Sequence, residues 1–262
     1  MQKQSRLKVD LSVNEGKPKP PILTIYGGPG IGKTTFGATA PDPVFLMAED
    51  GCPYKIPKIP KEGVIESWVD ALAAIRWLIK EEHDRKTLIV DTVNKIVQHS
   101  RQHVCDEQYQ GRWKTTRGQE GFNAFGYGEH TAEMEFQKFL KGLSHLKNKK
   151  GMWIILLAHE GQHRQGNLHG EDFKKLGGLM HHLPWSRIVE WSDQVAHVTK
   201  DFVAIKKDGD RVAKIKSTSE RKMYFEGDPS RDAKCRDGIY KMPSVIKFSY
   251  ANYMEHSNKG DK

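Results

Sequence analysis

Cysteine is scarce in this 262-residue chain: Cys52, Cys105 and Cys235 are the whole supply, and none forms a CxxC pair. That excludes a disulfide-stapled secreted scaffold and points to a reducing compartment. Long apolar runs are missing as well. The longest, Met152 to Ala158, is strand-sized, far short of the roughly 18 residues of a membrane span. The opening Met1-Gln2-Lys3-Gln4-Ser5-Arg6 lacks the apolar centre of a secretion signal, so a cytoplasmic protein with no membrane partner is expected. Acidic residues are outnumbered, 33 Asp+Glu against 42 Lys+Arg, which leaves a net charge of +9. An excess of that sign suggests a polyanionic partner, nucleic acid foremost. The 12 histidines do not fall into a metal pattern. His99-x-x-x-His103 has no Glu at its second position, and Cys105 lies on another helix face, so no structural zinc is expected. No internal repeat is visible, and the length suits one large domain with a substantial core.

Against these absences stands Gly27-Gly28-Pro29-Gly30-Ile31-Gly32-Lys33-Thr34, which fits G-x-x-x-x-G-K-[ST] without a mismatch. By chance the pattern arises in about one percent of chains this long. It follows the apolar run 22–26 and leads into Thr35-Phe36-Gly37-Ala38, the strand-before, helix-after setting of a phosphate-binding loop. Glycines let the backbone wrap a polyphosphate, with N–H groups aimed at its charge. Lys33 is expected to reach the β- and γ-phosphates, and the Thr34 hydroxyl to ligate Mg²⁺. The loop from Gly27 to Thr35 is therefore the expected ATP site.

Residues 5–14 alternate like a strand, and Lys17-Pro18-Lys19-Pro20-Pro21 forms a stiff link. Residues 1–20 are assigned to this strand and linker, which pairs either with the domain's own sheet or with a neighbouring subunit. The core is assigned to 21–253 and a frayed tail to 254–262. Val44–Ala48 reads as a second strand that ends at Glu49. Ser67 to Asp70 resembles a helix-capping box. Thr87–Val90 is a third strand ending in Asp91, the carboxylate pattern that holds Mg²⁺ about 60 residues after a phosphate loop. Thr92, next to it, reads as a helix cap. Met152–Ala158 delivers His159, and Asp208-Gly209-Asp210 signals a hairpin late in the chain. Strands alternating with helices predict an α/β fold with a mostly parallel sheet, ligands at the carboxyl ends of its strands, and an antiparallel hairpin near the end. Glu49, Asp91, His159 and the glycine loop all fall at such ends.

Residues 108–128 lose periodicity, and a loop this long is functional or disordered. Arg112, Lys114 and Arg117 beside Trp113, Phe122, Phe125 and Tyr127 suit phosphate contact with base stacking. The alternative is a loop whose aromatics pack on the domain. A second polar loop, Gly161 to Gly178, offers Arg164, Lys174 and Lys175. Together they are the expected contacts to single-stranded DNA.

Val44–Asp50 looks like the second core strand of RecA-type ATPases, and Leu88–Asp91 is similar to their Walker B strand. The chain over roughly residues 20–253 resembles the phage-encoded minimal RecA-core ATPases, an AAA-domain ATP-binding family linked to single-strand annealing and recombination. The Phe-Gly-Tyr-Gly run at 125–128 and the stretch around Ala233-Lys234-Cys235-Arg236 share that likeness. The resemblance implies a RecA-like fold, DNA-stimulated ATP hydrolysis, and Glu49 as the group that activates water. It implies a sensor role for His159, which stands where bacterial RecA proteins carry glutamine. It further implies Arg221 and Lys222 as fingers reaching a neighbour's γ-phosphate in a homo-oligomer, and a single-strand-binding protein as a partner. Two other readings share the phosphate loop: an AAA-type replication ATPase such as a helicase loader, and a non-hydrolysing nucleotide-dependent binding module.

Overall fold

The computed structural model describes residues 19–52, 54–116, 118–167, 170–205, 214–236 and 240–257. The expected strand at 5–14, Arg117 and the Asp208–Asp210 turn lie outside them.

In chain order the elements are β1 (Ile22–Gly27), α1 (Lys33–Ala38), β2 (Pro43–Met47), β3 (Lys58–Ile59), α2 (Trp68–Lys80), β4 (Thr87–Asp91), α3 (Val93–Tyr109), α4 (Tyr127–His145), β5 (Trp153–Gln165), β6 (Phe173–Gly178), α5 (His182–Trp191), β7 (Gln194–Ile205), β8 (Lys214–Tyr224), β9 (Lys234–Cys235), β10 (Val245–Lys247) and α6 (Tyr250–Ser257). The sheet runs β10-β8-β7-β1-β5-β4-β2-β3, with β6 on β5 and β9 on β7. Its centre is parallel: β1 pairs β5 and β7, β4 pairs β5 and β2, and β2 pairs β3. The β7–β8, β8–β10 and β5–β6 pairs are antiparallel. This is the expected α/β architecture with its late antiparallel hairpin.

Period-two alternation along the central strands builds two apolar layers. Ile22 and Tyr26 of β1, Leu88 and Val90 of β4, and Ile154 and Leu156 of β5 face α2, α3, α4 and α5. Leu23 and Ile25, Ile89, Ile155 and Leu157 face the other way, onto Phe36 of α1 and Tyr250 and Tyr253 of α6. Buried on both faces, these strands read as unbroken apolar runs. Ser67 caps α2 as its sequence suggests, its hydroxyl accepting from the Asp70 N–H at 3.1 Å. The distal half of α3 and the start of α4 leave the main core and enclose a small one of their own, Val104, Cys105, Phe122 and Ala132. No helix among the described residues is long and apolar enough to cross a membrane.

Three expectations about elements need correction. The polar stretch from Gly161 is no loop: β5 continues through it to Gln165 and turns back as β6. Its side chains are exposed or half-buried on both faces, so no apolar alternation announced a strand. Residues 108–128 shrink as an irregular segment, because α3 runs to Tyr109 and α4 begins at Tyr127. The assigned tail begins too early, because α6 runs from Tyr250 to Ser257 and takes in residues 254–257.

Candidate nucleotide site

Position 27 admits only glycine, because a β-carbon there would fall on the Val198 carbonyl of the adjacent β7. Gly32, at φ 103°, occupies the left-handed region and serves as N-cap of α1. Ile31 anchors the loop by burying its side chain in the outer core. Lys33 is buried, and its ammonium donates to the carbonyls of Gly27 at 2.8 Å and Gly28 at 3.0 Å. Burial pushes its pKa down, opposed by the carboxylates of Asp91, Glu160 and Glu49.

The carboxyl ends of β1, β2, β4 and β5 converge on one cleft of ≈ 290 Å³. Pro29, Gly30, Gly32, Thr34 and Thr35 line it on one side, Glu49, Asp91 and His159 on the other. The Thr34 hydroxyl donates to Asp91 Oδ2 at 2.8 Å, which sets two hard oxygen donors side by side. That donor chemistry fits Mg²⁺. Burial raises the pKa of Asp91, helped by the nearby Glu49, while the Thr34 hydrogen bond and Lys33 oppose it.

Glu49 is gripped from two directions. Its Oε2 meets His159 Nε2 at 2.9 Å, and its Oε1 accepts from the Thr92 hydroxyl at 2.9 Å. Burial works to raise its pKa, but the His159 and Thr92 hydrogen bonds, with the charges of His159 and Lys95, outweigh it and hold the carboxyl below its usual range. The Thr92 side chain thus serves Glu49 rather than the helix cap expected of it. The residue has the N-cap backbone of α3 but makes no side-chain cap bond, because its hydroxyl is engaged with Glu49.

Sequence reasoning missed Asn94. Its Oδ1 accepts from the His159 N–H at 2.8 Å and its Nδ2 donates to the Leu179 carbonyl at 2.6 Å, so one side chain ties α3 to both ends of the β5–β6 hairpin. It also missed Tyr54, whose hydroxyl bonds Thr35 Oγ1 at 2.9 Å, and the pair His197–Glu160 at 2.7 Å directly after His159. No local pattern marks these residues, since each partner is distant in sequence.

The expected DNA contacts divide. Phe125, at φ 51°, is 86% exposed, and Tyr127 beside it is 63% exposed. Trp113 instead packs on buried Phe122, ring centroids 4.7 Å apart, with the Arg101 guanidinium over it. Arg112 bonds Gln110 at 2.7 Å, and Lys114 is exposed. On the hairpin, Arg164 pairs with Asp172 and Lys175 with Asp232, both at 2.8 Å, while Lys174 is exposed. Of the two expected fingers, Lys222 is ion-paired to Asp201 and Arg221 is exposed.

A parallel sheet, a glycine loop over a buried lysine, and a hydroxyl–carboxylate pair at the next strand but one define a P-loop ATPase domain. The chain belongs to the AAA-domain family, whose sequence pattern matches residues 19–236. It is also 26% identical over 168 residues to the SPbeta prophage-derived uncharacterized protein YorG of Bacillus subtilis (strain 168). That match takes in 62% of this chain and 46% of the relative, less than half of the latter's length.

Proposed function

We propose that the protein is a Mg²⁺-dependent ATPase that binds single-stranded DNA and serves phage recombination or single-strand annealing. One observation carries the reading: Glu49 at the cleft is hydrogen-bonded to His159 on β5, and β5 runs on without a break into the hairpin bearing Arg164, Lys174 and Lys175. The histidine that grips the carboxylate and Arg164 of the hairpin therefore lie on one continuous strand. The prophage relative supports the phage setting.

In this reading Lys33 holds the β- and γ-phosphates, and Thr34 and Asp91 would hold Mg²⁺, which would offset phosphate charge. Glu49, kept ionised by Thr92 and His159, orients a water and takes its proton as the water oxygen attacks the γ-phosphorus. The bond from that phosphorus to the bridging oxygen breaks, leaving ADP and phosphate. His159 reports the state of Glu49 to the hairpin. A helicase-loader arrangement is disfavoured, because the neighbour of Asp91 is Thr92 rather than a second acid.

The test is ATP hydrolysis with and without single-stranded DNA, duplex DNA and RNA. Single-stranded DNA should raise the rate most. Glu49→Gln should keep ATP and lose hydrolysis by about 10²–10⁴-fold. Near-normal turnover in that variant would remove Glu49 from the chemistry, and indifference to all three polymers would remove the DNA reading.

A further inference from the structure

Arg221 stands on β8, two strands away from the one that feeds the phosphate loop, yet its guanidinium lies against that loop. A β-carbon at Gly32 would come 2.7 Å from Arg221 Nη1 and 3.7 Å from the Phe248 ring. The placement is built. The Phe248 N–H donates to the Arg221 carbonyl at 2.8 Å, and β10 pairs with β8 through Lys247 and Lys222. The Phe248 ring then stacks on Phe36 of α1, centroids 5.1 Å apart and planes within 3°. One aromatic stack thus clamps β10, and through it β8, to the helix that opens with Lys33.

Charge gives the placement a purpose. Among the described residues lining the cleft, Lys33 is the one Lys or Arg, against Glu49, Asp50 and Asp91. A nucleoside triphosphate brings further negative charge, so a second cation is called for. Lys222 is neutralised by Asp201, whereas Arg221 has no carboxylate partner among the described residues. Backbone N–H groups of such a loop cradle the α- and β-phosphates while its lysine reaches further out. A guanidinium at Gly32 is therefore at the α/β end, and its planar fork matches phosphate oxygens.

We infer that Arg221 is a phosphate ligand in cis, contacting the α/β end of the polyphosphate held by its own chain's loop rather than a neighbour's γ-phosphate. This rests on the nucleotide-site reading above. It makes the first binding step independent of assembly, whereas a finger in trans would make hydrolysis conditional on it.

The experiment titrates fluorescent ATP and ADP analogues against the full chain at concentrations where it is monomeric. Arg221→Ala should weaken both by about tenfold to a hundredfold, and Arg221→Lys should restore part of the loss. Lys149→Ala, an exposed cation just past α4, should leave both affinities unchanged. Mixing Lys33→Ala with Arg221→Ala should recover no ATPase activity, since each chain lacks part of its own site. Unchanged ADP affinity in Arg221→Ala, or recovered hydrolysis in the mixture, would overturn the cis assignment while leaving the nucleotide site standing. A wild-type chain that binds neither analogue would overturn the site itself.

Discussion

Glu49 is usable as a base only while ionised, and Thr92 and Lys95 at the start of α3, with His159 on β5, decide that. Thr92 offers the cleanest probe, because its hydroxyl serves Glu49 and not the helix it begins. In Thr92→Val the β-branched shape stays while one hydrogen bond to the carboxylate goes. Burial then acts with less opposition, so the Glu49 pKa rises. The acid limb of the single-turnover hydrolysis profile should move to higher pH. Activity at neutral pH should change little, and the melting temperature should stay near that of the wild type. A limb that does not move would mean that His159 and Lys95 set the charge on Glu49 without Thr92. The roles of Thr92 and Asn94 were illegible in the sequence for a plain reason. Each depends on a partner brought alongside by the sheet, Glu49 and the hairpin, and neither residue type nor spacing encodes it.

Elements differ in how openly the chain declares them. β1, β2, β4 and β5 up to Ala158 are buried on both faces, so a continuous apolar run marks each, and the glycine loop and Asp91 could be placed at their ends. The β5–β6 hairpin carries polar groups on both faces and looked like a loop. The irregular segment between α3 and α4 was foreseen, but not its division of labour. Its inner aromatics, Phe122 and Trp113, close the small core at the tip of the two helices, while Phe125 and Tyr127 stand out. Trp113→Ala should therefore lower the melting temperature by loosening that tip. Phe125→Ala should leave stability alone and cost about 1–3 kcal/mol of single-strand affinity if its ring stacks on a base. Thermal melts and fluorescence anisotropy with labelled oligonucleotide separate the two. Loss of affinity in Trp113→Ala alone would reverse the assignment.

Across the whole molecule, the outer face of the sheet is roofed by the two shortest-declared pieces, α1 and α6. Phe36 of α1 meets Phe248, Tyr250 and Tyr253 at 5.1, 5.3 and 5.9 Å between ring centroids. The Tyr253 hydroxyl also bonds Gln194 Oε1 at 2.6 Å. Deleting residues 245–257 strips that roof, removes the edge strand beside Arg221, and should weaken ATP binding as well as stability. Retained nucleotide affinity in such a truncation, measured by the same analogue titration, would show that the phosphate loop holds its shape unaided. Sequence reading set the end of α6 in a frayed tail because eight residues of mixed polarity resemble one. Only their contact with a helix near the other end gives them a task.

That contact has a consequence for how the protein is made. On a ribosome, α1 emerges roughly 200 residues ahead of the segment that covers it, a delay of about 10–40 s at ordinary translation speeds. During that interval Phe36 has no ring to pack against, and the nascent loop cannot hold a nucleotide in its finished geometry. Binding competence therefore arrives with synthesis of the covering segment, not with synthesis of the motif.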